Sequence, residues 1–385
     1  MTEGTAPMST AILAAPPEYA TAVSWYGQHD AAVVLSGGKK VLFAGGADAD
    51  GASVRQSAVF DLDAGTWSTA QLGTARQLHA LTLLPSGKVL ITGGISGPNT
   101  AALTTAEVYD PTENTWTAVE KPMAQGRWGH SATLLSTGLV LVAGGSAIRS
   151  PGTVMGLSSA ELFNPGDLTW AKAEDMTDAR TGHAAVAVQD GKKVLVCGGS
   201  SPVGTAVHPD LAFCEVYDAD AKTWKPTGSM RYPRSAHTAT ALSATKVLAA
   251  GGRAPGAPGD GSFDPYARAT AEVFDLAGAN GVGSWSDTDA MASGRAYHRA
   301  VALGSGIVLV LGGTDELTDE AGYRGVLRYE AGRWTKATGL DEGRWAFGAA
   351  ASGTKVLVVA GIARTGLASA EQKTELTRSV ERSDR

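Results

Sequence analysis

GRWGHSATLLSTGLVLVAGG, residues 126–145, is a phrase that recurs along this chain of 385 residues. It consists of an arginine, a histidine three residues later, a short apolar run and a glycine doublet, and a lone tryptophan (Trp170 in this copy) follows it. A second clear copy runs from Asp178 to Trp224. Repetition at a period of about 50 residues is typical of proteins that arrange small β-sheets as blades around an axis.

The number of glycine doublets indicates the number of repeats. Six are intact and a seventh is degenerate, at Gly45-Gly46, Gly93-Gly94, Gly144-Gly145, Gly198-Gly199, Gly251-Gly252, Gly312-Gly313 and Ala360-Gly361. Each repeat contains four short segments with strand character, which we name strands a to d in chain order. The sequence therefore predicts an all-β fold, a seven-bladed β-propeller with four antiparallel strands per blade, and a single domain over residues 1–385.

The last repeat is incomplete. Residues 380–384 match the c strand of the other repeats, and no d strand or tryptophan follows them. At the other end, the segment around Met8–Ala15 precedes the first a strand. We expect this N-terminal segment to complete blade 7 as its outer strand, which removes an open sheet edge.

The repeated phrase resembles the kelch repeat, and the resemblance covers almost the whole chain. It implies a kelch-type propeller, and we expect a stand-alone bacterial member of that family. Propellers host many unrelated activities, so the resemblance specifies the fold far better than the function.

Composition excludes several classes of function. A net charge of −6 and a pI near 5.7 argue against a nucleic-acid partner. No apolar run is long enough for a membrane span, and the N-terminus lacks the basic start of a signal peptide, so we expect a cytoplasmic protein. We interpret Cys197 and Cys214 as buried core residues, with a disulfide or a thiol nucleophile as the alternative. We expect a monomer with no cofactor and no bound metal.

The connections predict where function lies. The a–b turns are short, whereas the b–c loops are long and differ from blade to blade, with the longest at residues 253–270 and an acidic one at 314–325. Variable loops on a rigid scaffold commonly carry function. We therefore expect the working face to be the one formed by the d–a and b–c connections.

The repeated arginine has a candidate partner in strand c. Arginine occupies this position at residues 76, 127, 180, 234, 295 and 344, and glutamate occupies a common c-strand position at 107, 161, 215, 272 and 381. The agreement favours buried arginine–carboxylate pairs. Blade 6 departs from it, because Leu327 replaces the glutamate, and so we expect Arg295 to be free for a ligand.

Departures from the repeat gather in blades 6, 7 and 1. Extra tryptophans flank the arginine position, and Phe347 replaces the histidine that six other repeats share. The predicted ligand-binding residues are Arg295, Tyr297, Arg344, Trp345, Phe347, Trp25, Tyr26, Gln28, Arg76, Arg127 and Trp128. Aromatic packing at the seam of the ring is an alternative explanation of the same residues.

Two function classes follow. The first is a propeller that binds an anionic or planar small molecule, or a peptide, in a central pocket lined by arginine and aromatic side chains. The second is a small-molecule enzyme without an organic cofactor (an isomerase or epimerase, a cyclase or a lyase) that uses the same pocket, as in bacterial kelch sugar epimerases. Galactose-oxidase-like chemistry is disfavoured, because it needs a copper site with a Cys–Tyr cross-link. The sequence leaves the choice between binding and catalysis open.

Overall fold

The computed structural model describes residues 11–13, 32–98, 100–150, 153–204, 209–253, 267–304, 306–315 and 320–384. Seven four-stranded antiparallel sheets make up the bulk of these residues. The a strands of successive blades pack against one another, and the a strand of blade 7 returns to that of blade 1. The sheets therefore form a closed ring, and the predicted seven-bladed β-propeller is confirmed.

The strands of each blade follow one another in the order a, b, c, d. Blade 1 has Ala32–Val34, Lys40–Ala44, Gln56–Asp61 and Trp67–Gln71; blade 2 has Ala80–Leu83, Val89–Thr92, Ala106–Asp110 and Thr115–Ala118. Blade 3 has Ser131–Leu134, Val140–Ala143, Ala160–Asn164 and Thr169–Lys172; blade 4 has Ala184–Val188, Lys193–Cys197, Cys214–Asp218 and Thr223–Pro226. Blade 5 has Thr238–Ala241, Lys246–Ala250, Ala271–Asp275 and Ser284–Asp287; blade 6 has Arg299–Ala302, Val308–Leu311, Val326–Glu330 and Arg333–Ala337.

Blade 7 is assembled from both ends of the chain. Its a, b and c strands are Gly348–Ser352, Lys355–Val359 and Val380–Asp384, and its outer strand is Ala11–Leu13. The N-terminal strand runs antiparallel to the C-terminal one, with Ala11 opposite Arg382 and Leu13 opposite Val380. The predicted closure of the ring is confirmed, and it joins the two ends of the chain through backbone hydrogen bonds.

Apolar side chains from adjacent blades form the core. One cluster joins Leu42 and Val59 of blade 1 to Leu81 and Tyr109 of blade 2, and equivalent clusters recur around the ring. The repeated tryptophan of strand d lies directly opposite an aromatic residue of strand c, as in Tyr109–Trp116, where the ring centroids are 5.2 Å apart. Such tilted aromatic pairs explain why the tryptophan recurs once per repeat.

Smaller elements decorate the propeller. The b–c loops of blades 3 and 4 form a three-stranded sheet of Ser146–Ser150, Thr153–Gly156 and Val203–Gly204, and the blade 7 loop forms a hairpin of Ile362–Arg364 and Glu375–Leu376. Short helical turns occupy Gly278–Gly281 and Gly366–Ala368. Across the described residues, no helix has both the length and the apolar character needed to cross a membrane.

Candidate functional site

The repeated arginines lie inside their blades. In blade 4, Arg180 has no exposed surface, and its Nη1 donates to the carbonyl oxygens of Gly198 and Phe213 at 2.9 and 2.8 Å. Its Nη2 donates to Glu215 at 3.2 Å, and Glu215 is equally buried. The same ion pair forms in four other blades, as Arg76–Glu107, Arg127–Glu161, Arg234–Glu272 and Arg344–Glu381. The guanidinium groups of Arg76, Arg127 and Arg344 therefore already have buried partners. The predicted ligand-binding role of these residues stays a prediction.

Each of these glutamates also binds the loop that enters its blade. Glu215 accepts hydrogen bonds from the backbone amides of Thr177 and Asp178, at 2.9 and 3.4 Å. One arginine and one glutamate thus connect strand b, strand c and the d–a connection. This connection explains why both residues recur together in the sequence.

Blade 6 lacks the carboxylate, as the sequence indicates. Arg295 is 3% exposed, and its Nη1 donates to the carbonyl oxygens of Gly312 and Gly325 at 2.9 and 3.1 Å. Its Nη2 donates to the Ser293 hydroxyl at 3.2 Å, and the guanidinium lies 5.4 Å from the centre of the Tyr323 ring. Burial lowers the pKa of Arg295 to about 10, so the group stays protonated at neutral pH. Its role as a ligand-binding residue stays a prediction.

The repeated histidines pack between blades. The His130 ring lies next to Gly93 of the preceding blade, and its Nε2 is 2.9 Å from the Thr92 hydroxyl. His183 and His298 make the equivalent contact with Ser131 and Thr238, at 2.9 Å in each case. These histidines are buried and belong to the contact between neighbouring blades.

Buried neutral histidines make stability depend on pH. Burial, assisted by the nearby Arg76, lowers the pKa of His79 to about 3, against about 6.5 in an unfolded chain. Between these values the unfolded state binds the extra proton, so stability is present above pH 6.5 and is lost as the pH falls toward 3. We expect His79→Phe, which copies Phe347 of blade 7, to reduce this loss by about 1.4 kcal/mol per pH unit.

Urea denaturation at pH 7, 6 and 5 measures this effect. The parent protein should lose stability more steeply than His79→Phe over this range. Equal slopes for the two proteins would show that His79 does not contribute to acid sensitivity.

The aromatic candidates of blades 6 and 7 are buried. Tyr297, Trp345 and Phe347 are all at most 2% exposed, and the first two share an apolar cluster with Ala236 and Ile362. Phe347 fills the histidine position, where its carbonyl oxygen accepts a hydrogen bond from Arg299 Nε at 2.7 Å. Trp128 is half-buried on blade 3. Three predicted residues, Trp25, Tyr26 and Gln28, lie outside the described residues.

The opening on the b–c face has a regular rim. In each blade except the first, the residue after the arginine pairs by backbone bridges with the residue after the glycine doublet. We call the opening bounded by these positions the b–c mouth. The positions after the doublets are Ala47, Ile95, Ser146, Ser200, Arg253, Thr314 and Ile362. Arg253 is the single charged residue among these seven positions. The ligand-binding residues predicted from the sequence did not include it.

Arg253 belongs to a polar cluster that spans blades 4 to 6. Its Nη1 donates to the Tyr297 hydroxyl at 3.4 Å, and its backbone pairs with Ser235. Ser235 in turn hydrogen-bonds Asp210 of the blade 4 loop. Arg268, also buried, donates through Nε to the carbonyl oxygen of Pro233 at 2.8 Å. The cluster brings two cations, a carboxylate and a phenol to one side of the b–c mouth.

The electrostatics of Asp210 are unusual for a loop residue. Burial raises its pKa above the ordinary value, although the Ser235 hydrogen bond and the charges of Arg253 and Arg268 act in the opposite direction. Carboxyl groups with raised pKa values occur preferentially at functional sites. The raised pKa of Asp210, the carboxylate of this cluster, makes it a candidate functional residue.

Two further features occur beside this cluster. Tyr297 has a φ of 52°, a left-handed conformation that the equivalent residues of the other described blades share, namely Leu78, Gly129, Gly182, Ala236 and Ala346, so it belongs to the repeat. The indole Nε1 of Trp345 is buried and has no hydrogen-bond partner among the described residues. A buried donor without a partner costs about 1–3 kcal/mol. At this position of the described blades the unpartnered indole, unlike the left-handed backbone, is particular to blade 7.

A cavity lies at the opposite end of the ring. It has a volume of about 430 Å³ and is lined by the a strands and a–b turns of blades 3 to 5, including Leu134, Ala187, Asp190 and Ala241. The sequence assigned the pocket to the b–c face instead. This cavity is mostly apolar, and it contains none of the predicted ligand-binding residues that the structure describes.

Comparison with known proteins agrees with the repeat. A family model described as the kelch motif matches residues 84–123, which include strands b, c and d of blade 2. The chain carries a kelch motif. Human Kelch-like protein 34 is 27% identical over 43% of this chain, and an F-box/kelch-repeat protein of Arabidopsis thaliana is 29% identical over 50% of it. These matches support a kelch-repeat family, whereas bacterial origin and stand-alone character stay predictions.

The matched segments are only part of those relatives. They span 24% of the human protein and 47% of the Arabidopsis protein. Among solved structures, a fungal alcohol oxidase in complex with copper superposes on 98% of this chain and 76% of its own, with a TM-score of 0.71 and 15% identity. The structure titled YjhT covers 76% of this chain and 91% of its own, with a TM-score of 0.57 and 17% identity. At these identities the likeness concerns the fold alone.

The copper site is a property of the fungal oxidase, and we do not assign one to this chain. Within the described ranges, no group of three histidine, cysteine, aspartate or glutamate side chains is arranged to hold a metal ion. We therefore derive no metal-dependent step.

Proposed function

We propose that this propeller binds an anionic small molecule at the b–c mouth, between blades 4 and 6. The observation that carries the proposal is the position of Arg253 beside Tyr297 and Asp210. A kelch propeller supports a binding or scaffold role in general. The positive charges and the hydrogen-bond donors of this cluster favour an anionic ligand.

The cluster has the donors that a carboxylate needs. Arg253 is half-buried on the rim, and a guanidinium pairs with a carboxylate through two parallel hydrogen bonds. The Tyr297 hydroxyl and the Trp345 indole are further donors in or beside the same apolar cluster. A carboxylic acid would place its charge on Arg253, which has exposed surface at the rim.

Tryptophan fluorescence provides a direct binding assay. We would titrate the protein with monocarboxylates, dicarboxylates, aromatic acids and sugar acids, and with the uncharged amides of any acid that binds. We expect Arg253→Ala to weaken carboxylate binding at least tenfold, since a hydrogen bond to a charged group contributes about 1.5–3 kcal/mol.

The control is Arg364→Ala, because Arg364 is a half-exposed arginine on the blade 7 loop that pairs with Glu375. This variant should bind as the parent protein does. If no carboxylate binds, or if both variants bind equally well, the proposal is wrong.

Arg295 is tested in the same assay. The sequence predicts that Arg295→Ala weakens binding, whereas its hydrogen bonds inside blade 6 favour a structural role. A loss of affinity in Arg295→Ala at unchanged stability, with Arg253→Ala unaffected, would move the site from Arg253 to Arg295.

A second candidate function is proton-transfer catalysis, as in an isomerase. Asp210 favours it, because a carboxyl group with a raised pKa beside two arginines can act as a general acid or base. Any acid that binds should then exchange a carbon-bound proton with deuterated water, which proton NMR detects. Asp210→Asn should abolish this exchange while binding persists; no exchange in the parent protein leaves binding as the function.

A further inference from the structure

The two cysteines of this chain occupy one cross-strand pair. In blade 4, Cys197 at the end of strand b lies directly opposite Cys214 at the start of strand c. The six other blades carry different residues at this pair: Ala44–Ser57, Thr92–Ala106, Ala143–Ala160, Ala250–Ala271, Leu311–Val326 and Val359–Val380. The pairing is therefore a feature of blade 4 and not of the repeat.

The backbone geometry at this pair allows a bridge. In the other blades, the amide that follows strand b donates to the carbonyl that precedes strand c, as from Gly144 to Ser159 at 3.1 Å and from Gly251 to Thr270 at 3.2 Å. This pattern marks a non-hydrogen-bonded antiparallel pair, whose Cα atoms lie about 4.5 Å apart. Disulfides span Cα distances of about 4.4–6.8 Å. Blade 4 keeps the same register at Cys197 and Cys214, although its Gly198 amide hydrogen-bonds Cys214, so the pair lies within reach of a bridge.

The side chains of the pair are placed for thiol chemistry. The Cys197 thiol hydrogen-bonds Cys214, and this contact raises the pKa of Cys197. Burial works against ionisation of Cys214, but the hydrogen bonds from Cys197 and from the Met230 backbone lower its pKa overall. The imidazole Nε2 of His237 is 3.6 Å from Cys197 Sγ. Cys214 Sγ also donates to the carbonyl oxygen of Ala212 at 3.3 Å, so both sulfurs belong to one hydrogen-bonded group.

We propose that Cys197 and Cys214 form a redox site that a small peroxide converts to an intramolecular disulfide. The thiolate of one cysteine attacks one oxygen of hydrogen peroxide, the O–O bond breaks, and the other oxygen leaves as hydroxide, which takes up a proton. The other cysteine then attacks the sulfur of the resulting sulfenic acid, and the hydroxyl leaves with the proton of that second thiol as water. In total, two thiols and one peroxide yield one disulfide and two waters.

Burial selects the oxidant. Both cysteines have no exposed surface, so a small peroxide reaches them far more readily than a bulky disulfide such as oxidised glutathione. The bridge closes the base of the blade 4 b–c loop, residues 198–213, which carries Ser200 and Asp210 of the b–c mouth. Formation of the bridge does not depend on the proposed ligand site and is measured separately from it.

Mass spectrometry tests the proposal. The native full-length protein is treated with hydrogen peroxide, quenched with catalase, denatured and alkylated with iodoacetamide. We expect a monomer that has lost two hydrogens and takes up no alkyl group, and two alkylation sites after prior reduction. The oxidised protein should also melt roughly 4 °C higher than the reduced protein, because the bridge closes a loop of about 15 residues.

Cys214→Ala is the matched control, since Ala106, Ala160 and Ala271 occupy the same position in other blades and the variant should fold. In this variant, peroxide should add oxygen to Cys197 without forming a bridge. The proposal is overturned if the parent protein keeps two free thiols, if each cysteine only gains oxygen, or if the disulfide joins two molecules. A bridge that forms only in denatured protein would overturn it equally.

Discussion

Replacing Arg180 by alanine should destabilise the propeller by about 3–5 kcal/mol, the range for removing one partner of a buried ion pair. Glu215 would remain fully buried beside two carbonyl oxygens that have also lost their donor. The expected result is a large fall in the urea midpoint at unchanged denaturant slope. Equilibrium denaturation followed by circular dichroism measures it.

Blade 6 provides the control for this experiment. It keeps its arginine but has Leu327 where blade 4 has Glu215, and its strands still pair in register. The double variant Arg180→Met/Glu215→Leu takes the leucine of blade 6 and leaves no buried charge without a partner, so it should cost clearly less than Arg180→Ala. Equal losses would mean that the buried carboxylate is not the source of the penalty.

Replacing Gly93 by alanine is the second substitution with a large expected effect. Gly93 has a φ of 58°, and an added Cβ would lie 2.4 Å from the Arg127 carbonyl oxygen and 2.7 Å from the His130 ring. Both neighbours belong to blade 3 or to the connection that enters it, so the added atom presses on the contact between blades 2 and 3. We expect a loss of about 3 kcal/mol or more, which combines the cost of left-handed backbone with overpacking.

Gly353 separates these two contributions. It has the same φ of 58°, but a Cβ added there meets nothing within 4 Å. Gly353→Ala should therefore cost only about 1–2 kcal/mol, the backbone penalty alone. Thermal melts of both variants measure the difference; similar melting temperatures would show that the contact with the next blade is unimportant.

The repeat explains why so much of this fold was predictable. A blade cannot bury its two faces alone, so each repeat carries the same interface residues, and their period reveals the number of blades. The arginine–glutamate pairs of five blades were predictable for the same reason, because partners inside one blade recur together. The closing strand followed from counting strands at the two ends.

The candidate site depends on residues that break the repeat, and their consequences were harder to predict. The missing glutamate of blade 6 was visible, but only the structure shows Ser293 and Tyr323 beside Arg295. The aromatic residues Tyr297 and Trp345 were recognised as exceptional, yet their burial could not be derived from composition.

The sequence by itself determined the ring, the number of its blades and the partners within each blade, because those contacts repeat at a constant spacing. The tertiary structure alone decided which exceptional side chains meet. Arg253 contacts Tyr297 of the next blade and lies near Asp210 of the previous one, and these residues come from three loops of unrelated length and sequence. Such contacts leave no periodic trace, since they depend on how neighbouring blades are packed around the axis.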